Sequence, residues 1–218
     1  LNASADRRIC VKNPIKVVVT NYPEDKVEYF ELPNNPSVEG AGTRAVAFTR
    51  ELYIDESDFA EVPPPKFFRM KPEGEVRLMG AYIVKCNDII KNEDGSIKEI
   101  HCTADLETRN GNPIDGRKIK GTIHWLSAAY CEEATLMLYD NLFTIENTGD
   151  IPEDKTYNDY LNPNSLIKIE HCKVEPSLIE AKAGDKFQFV RDGYYCKDSK
   201  YENTFNRVVG LKDSFPKK

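Results

Sequence analysis

Histidine and cysteine are the first residues to test for chemistry in this 218-residue chain. His101, His124 and His171 begin no H-E-x-x-H pattern. His101 and His171 each precede a cysteine, Cys102 and Cys172. Adjacent strand residues point to opposite faces, so neither pair suits one metal ion. The six cysteines, at 10, 86, 102, 131, 172 and 196, show no paired-knuckle spacing. They read as free thiols of a reducing compartment, and no metal site is expected. No G-x-S-x-G elbow is present. Gly40-Ala41-Gly42-Thr43-Arg44-Ala45 matches G-x-G-x-x-A, but Val46-Ala47-Phe48-Thr49 reads as strand where a helix should open. Asp55-Glu56-Ser57-Asp58 reads as solvated loop charge. No catalytic residue emerges.

Arginines beside aromatics hold more promise. Lys66-Phe67-Phe68-Arg69-Met70-Lys71 is followed closely by Glu75-Val76-Arg77, and Gln188 and Arg191 bracket Phe189 with Tyr194-Tyr195 beyond. A guanidinium is a planar fork that pairs two acceptors on one base edge. Glutamine donates and accepts at once, and aromatic faces stack on splayed bases. On these residues alone, surface ion pairing or packing is the simpler account.

The elements that must position them are strands. Short apolar, β-branched runs recur between turn signals: Ile15–Thr20, Val76–Val84, Ile119–Trp125 and Phe187–Val190. Ile119, Ile123 and Trp125 share one face; Phe187 and Phe189 share another, with Gln188 opposite. Asn92-Glu93-Asp94-Gly95-Ser96 joins Cys86–Ile90 to Ile97–Thr103 as a hairpin. Pro63-Pro64-Pro65 and the loop Gly149–Asn164 read as boundaries. Ser177–Glu180 predicts one short helical turn, and Leu126–Glu133 another. The whole predicts an all-β chain of at least ten strands, a number that closes into barrels or splits into two sheets.

Composition narrows the class. Hydrophobic residues make up 40% and charged residues 30%, as in a folded chain. No apolar run of about 18 residues occurs, so no helical membrane span is expected. The first eight residues lack a signal-peptide core and an initiating Met, which reads as a start partway into a longer protein. The net charge of −6 argues against coating nucleic acid by bulk electrostatics but leaves room for a local basic site.

Six collinear segments carry a resemblance. Ile119–Ala129 (IKGTIHWLSAA) resembles the K-G-x-I-H-W-x-S-A segment of the glutaminyl-tRNA synthetases, shared with archaeal and eukaryotic glutamyl enzymes. Asn13-Pro14-Ile15-Lys16 with Asn21-Tyr22-Pro23 resembles D-P-x-K…N-Y, and Tyr139–Phe143 resembles L-Y-D-R-L-F. Glu175-Pro176-Ser177-Leu178 resembles E-P-S-L. Phe187–Tyr194 and Phe205–Asp213 resemble F-Q-F-x-R-x-G-Y and F-N-R-x-V-G-L-x-D of the bacterial-type glutaminyl enzymes. They span about residues 7 to 213. No H-I-G-H-like or K-M-S-K-S-like segment is found.

The resemblance implies two six-stranded-type β-barrels, ribosomal-protein-L25-like, the chain passing from proximal to distal and back. That places a proximal barrel at 9–62 and 163–218, a distal barrel at 66–160, and a linker remnant at 1–8, with the proline run and the 149–164 loop as crossovers. It implies a cytoplasmic fragment that binds the anticodon loop of glutamine tRNA, with no DNA and no membrane partner. ATP and Mg2+ would belong to the absent catalytic part of an ATP-dependent ligase, so the chain alone should carry no cofactor and no aminoacylation. Residue by residue, Arg7, Gln188 and Arg191 fall at the middle-base (uracil) pocket, Arg69 at the third-base guanine and Arg77 near the first base. Phe68 and Met79 replace basic residues seen in relatives: Phe68 could stack on a base, and the electrostatic grip should be weaker. The alternatives are a glutamyl-tRNA synthetase anticodon region, against which Phe187–Tyr194 and Phe205–Asp213 argue, or a β-barrel module that no longer binds tRNA.

Overall fold

Apolar residues at every second position dictate strands, and strands dominate the computed structural model, which describes residues 1–211. The last two residues of the Phe205–Asp213 segment, and the end of the 163–218 segment, lie outside the described residues. In chain order the strands are β1 (Asp6–Arg8), β2 (Cys10–Val11), β3 (Pro14–Val19), β4 (Glu28–Pro33), β5 (Thr43–Phe48), β6 (Glu51–Asp55), β7 (Glu75–Leu78) and β8 (Ile83–Lys91). There follow β9 (Ile97–Asp105), β10 (Thr122–Ile123), β11 (Leu126–Ser127), β12 (Glu132–Tyr139), β13 (Leu166–Val174), β14 (Lys186–Phe189), β15 (Gly193–Lys197) and β16 (Thr204–Gly210). Among the described residues the helices are 3-10 turns of three or four residues, and no helix is long and apolar enough to cross a membrane.

Two seven-stranded sheets carry the fold as a nearly closed barrel and a half-barrel. The first sheet runs β10-β7-β8-β9-β3-β6-β11, and the ribbon β4–β5 covers it. The second runs β1-β14-β15-β16-β12-β13-β2. Each exceeds six strands because two- and three-residue strands extend its edges. The first core centres on Trp125, packed edge-on against Phe48 at 5.0 Å and Phe30 at 6.4 Å. The second stacks Phe189 on Tyr195 at 4.4 Å, with Phe205 edge-on at 5.4 Å. In β3 and β9 alternate residues are buried, as the sequence pattern requires.

Several elements depart from the sequence reading. Val76–Val84 is two strands, because Gly80 adopts φ +70° and turns β7 into β8. Of Ile119–Trp125 only Thr122–Ile123 pairs, in parallel with β7. Leu126–Glu133 is not helical: it holds β11 and opens β12. The Cys86–Thr103 hairpin does form as β8–β9, and Pro176–Leu178 makes the expected short turn.

Strand pairing also divides the chain elsewhere. β3 pairs with β9 in parallel, Lys16 opposite Glu99, so segments assigned to different barrels share one sheet. The proline run joins β6 and β7 of that same sheet. The 149–164 loop closes β12 onto β13, adjacent antiparallel neighbours. The chain passes between the sheets at Lys12–Asn13 and at Ala128–Cys131 instead. Residues 1–8, expected as a linker remnant, are tied to the second sheet: β1 pairs with β14 and Ala5 is buried.

The junction is held by Glu175, 4% exposed at the end of β13. Its carboxylate accepts from Arg44 Nε at 2.6 Å and Nη2 at 2.5 Å, and from the Ile9 backbone N–H at 2.7 Å. One carboxylate thus ties β5 of the ribbon, the β1–β2 link and the half-barrel together.

Candidate functional site

The segment Gly121–Trp125 is the spine of the site. Its carbonyls receive backbone bonds from the β7 end: Arg77 N–H to Gly121 at 3.0 Å and Met79 N–H to Ile123 at 2.9 Å. Trp125, fully buried, donates its indole N–H to the Met79 carbonyl at 3.0 Å. Gly121 lies directly beneath Phe68: a Cβ there would sit 1.5 Å from the Phe68 carbonyl oxygen. The K-G-x-I-H-W pattern therefore holds Arg77 and Met79 in register and lets the 64–69 loop close down.

In the stretch read as solvated charge, Glu56 and Ser57 are exposed but the two aspartates are not. Asp55 is 3% exposed and Asp58 fully buried. Asp55 accepts backbone N–H groups of Lys12 and Asn13 at the first crossover, 2.9 and 3.3 Å away. Asp58 takes a bidentate fork from Arg191, Nη1 at 2.7 Å and Nη2 at 2.8 Å. Arg69 Nε lies 3.3 Å from the same carboxylate and donates Nη1 to the Ser57 carbonyl at 2.8 Å. A buried carboxylate needs such partners. The sequence conceals them, because Arg191 is 133 positions away. The only local hint was an acidic residue near a basic-aromatic run.

Arg191 itself adopts φ +64° in the tight turn from β14 to β15, where the Asp192 N–H bonds the Phe189 carbonyl at 3.0 Å. That conformation costs a non-glycine residue about 1–2 kcal/mol. The Asp58 fork offsets the cost and aims the guanidinium into a cleft of about 440 Å3 lined by Lys66, Phe68, Arg69, Thr122 and Arg191. Phe68 is 50% exposed there, with Lys120 Nζ 5.2 Å from its ring centre.

Behind this carboxylate stands His124, 7% exposed, its Nδ1 3.5 Å from Arg191 Nη1. Burial lowers its pKa; Asp58 opposes this, but that carboxylate is already engaged by two arginines. The folded protein therefore holds His124 neutral. In the unfolded chain histidine protonates near its ordinary value of about 6.5. The unfolded state thus binds more protons below that pH, and stability is lost as pH falls through the window beneath about 6.5. Thermal unfolding at pH 7.5 and 5.5 should show a decline of at most about 1.4 kcal/mol per pH unit from this group. His124→Gln should flatten it, and an unchanged slope would reject the assignment.

The remaining expected residues form a second cluster. Arg7 and Gln188 are direct partners across β1 and β14. Among the described residues Gln188, 8% exposed, presents a buried Oε1 with no partner and Arg7 a buried Nε with none, while Arg7 Nη2 donates to Ser37 at 3.1 Å. Arg7, Met79 and Val190 line a cavity of about 240 Å3. Arg77 stands apart, donating to the Gly111 carbonyl and to Asn112 Oδ1 at 3.2 Å. The structure thus gathers Phe68, Arg69 and Arg191 around one cleft, sets Arg7 at a second cavity with buried Gln188 as its strand partner, and leaves Arg77 on the 110–112 loop. Among the described residues no group of three His, Cys, Asp or Glu side chains could hold a metal ion, and all six thiols are free.

Comparison with known proteins places this architecture. Residues 5–105 and 122–198 match two family descriptions, each "tRNA synthetases class I (E and Q), anti-codon binding domain". The gap between the two matches falls between β9 and β10 of the first sheet, and the second crossover lies within the second match. The chain is 48% identical to the glutamine–tRNA ligase of Clostridium perfringens over 99% of its own length and 39% of that relative. It is 46% identical to that of Rhodopirellula baltica, over 100% and 36% of the two chains, and 45% identical to that of Stutzerimonas stutzeri, over 99% and 39%. The chain spans under two-fifths of the length of these relatives. It belongs to the anticodon-binding domains of the class I tRNA synthetases for glutamate and glutamine, on the glutaminyl side of that family.

Proposed function

We propose that this chain reads the anticodon of glutamine tRNA on behalf of a glutaminyl-tRNA synthetase, recognising its middle uracil and third guanine. The observation that carries the reading is the cleft in which Arg69 and Arg191, fixed on buried Asp58, open beside half-exposed Phe68. Pre-aimed guanidinium forks pair two acceptors on a base edge, as guanine presents, and an exposed ring stacks on a base turned out of its stack. The unpartnered Gln188 acceptor and Arg7 donor support a second pocket, since uracil offers a ring N–H and carbonyls to such a pair. These groups are local, which reconciles base reading with a net charge of −6.

The test is a titration of the chain with glutamine tRNA and with a variant changed only at the middle base, at fixed low salt. Preference for the cognate supports the reading, and equal binding refutes it. Arg69→Ala should weaken cognate binding by about 1–3 kcal/mol, as for a lost bidentate base contact. Unchanged affinity would remove Arg69 from the interface.

A further inference from the structure

We propose that Asp58 is a positioning residue that couples the reading of two adjacent anticodon bases, because it holds on one carboxylate both Arg69, expected at the third base, and Arg191, expected to reach from the same cleft to the middle base. The inference rests on the anticodon reading above and adds a residue and a mechanism to it. Asp58 is fully buried, so it touches no ligand. Both carboxylate oxygens are spent: Oδ2 on Arg191 Nη1, and Oδ1 on Arg191 Nη2 and Arg69 Nε. Its backbone is fixed too, since its carbonyl accepts the Met70 N–H at 2.9 Å beside the Phe59–Met70 bridge.

The two arginines come from different sheets. Arg69 follows the proline run of the first barrel, whereas Arg191 sits in the β14–β15 turn of the half-barrel. Each retains guanidinium hydrogens that Asp58 does not take, and both line the same cleft. Two positive forks therefore compete for one negative charge. When a base acceptor draws one fork outward, Asp58 turns its charge to the other and stiffens it. When one base contact is lost, the freed arginine reclaims the carboxylate and loosens its neighbour. Each single mismatch then carries part of the other's penalty. A double mismatch costs less than the product of the two.

A purely structural carboxylate would behave differently. Its loss would lower stability and weaken all RNAs by a common factor. Coupling instead moves the discrimination at two bases together.

The experiment uses the chain as it stands and four glutamine tRNAs: cognate, middle base changed, third base changed, and both changed. Each single change should weaken binding by about tenfold or more. The double change should fall short of their product by about threefold or more. Asp58→Asn, which keeps the shape and removes the charge, should lower discrimination at both bases together and make the penalties multiply. Penalties that already multiply with the unaltered chain overturn the proposal. So does an Asp58→Asn protein whose affinity falls equally for all four RNAs. If Asp58→Asn does not fold, the four-tRNA cycle with the unaltered chain decides alone. Absence of any single-base preference in the unaltered chain is a different result, for it refutes the anticodon reading on which this inference rests.

Discussion

Glu175→Ala is expected to cost about 3–5 kcal/mol of unfolding free energy, as for removing one partner of a buried ion pair. The side chains of Glu175 and Arg44 are only 5% and 13% exposed. The substitution leaves the Arg44 guanidinium without its two-pronged partner and the Ile9 N–H without its side-chain acceptor. Neither regains full hydration at a junction between sheets. The effect should reach the site, because Ile9 lies two residues beyond Arg7, and β1 carries Arg7 opposite Gln188. Urea unfolding measures the first effect and tRNA titration the second. A loss under about 1 kcal/mol, the range of exposed pairs, would show that the junction does not rest on this carboxylate.

Gly121→Ala should be nearly as damaging, for a steric reason. The backbone torsion of Gly121 lies outside the positive-φ range, so conformation alone would tolerate alanine. Space does not: the new methyl would lie 1.5 Å from the Phe68 carbonyl oxygen and 2.7 Å from its carbon. Both are backbone atoms, which cannot swing aside as a side-chain tip can. Either β10 leaves β7 or the 64–69 loop lifts. Overpacking of this kind costs typically about 1–3 kcal/mol, and a backbone obstacle puts this case at the upper end or above. A lifted loop carries Phe68 and Arg69 away from Asp58, so cognate binding should also fall by at least as much as for Arg69→Ala. Thermal unfolding and titration of the one variant report both losses. Wild-type affinity would mean that the loop closure has no part in recognition.

Much of the fold was legible in the residues alone. Short β-branched and apolar runs named β3 and β14 to within a residue or two, and Asp94-Gly95 marked the β8–β9 hairpin and with it β9. These signals are local: side-chain period and turn chemistry act over a few neighbouring residues. Where a single glycine interrupted a run, as Gly80 does between β7 and β8, the local signal misled. The proline run and the 149–164 loop were read as boundaries between barrels, whereas each joins strands of one sheet. Nothing within them states which strands they join.

The site divided along the same line. Composition and spacing determined that the chain is all-β, and the collinear motifs pointed, through the resemblance, to arginines, a glutamine and an aromatic ring as the expected reading groups. They also determined that it resembles an anticodon-binding region. Only the tertiary structure decided that Asp58 is buried and grips Arg191 from 133 positions away, or that Glu175 clasps Arg44 across 131. Only strand register set Arg7 opposite Gln188. The physical reason is that local propensity is written within a few residues. A buried carboxylate and an exposed one read identically until packing removes water from one of them and supplies its partner from a distant strand.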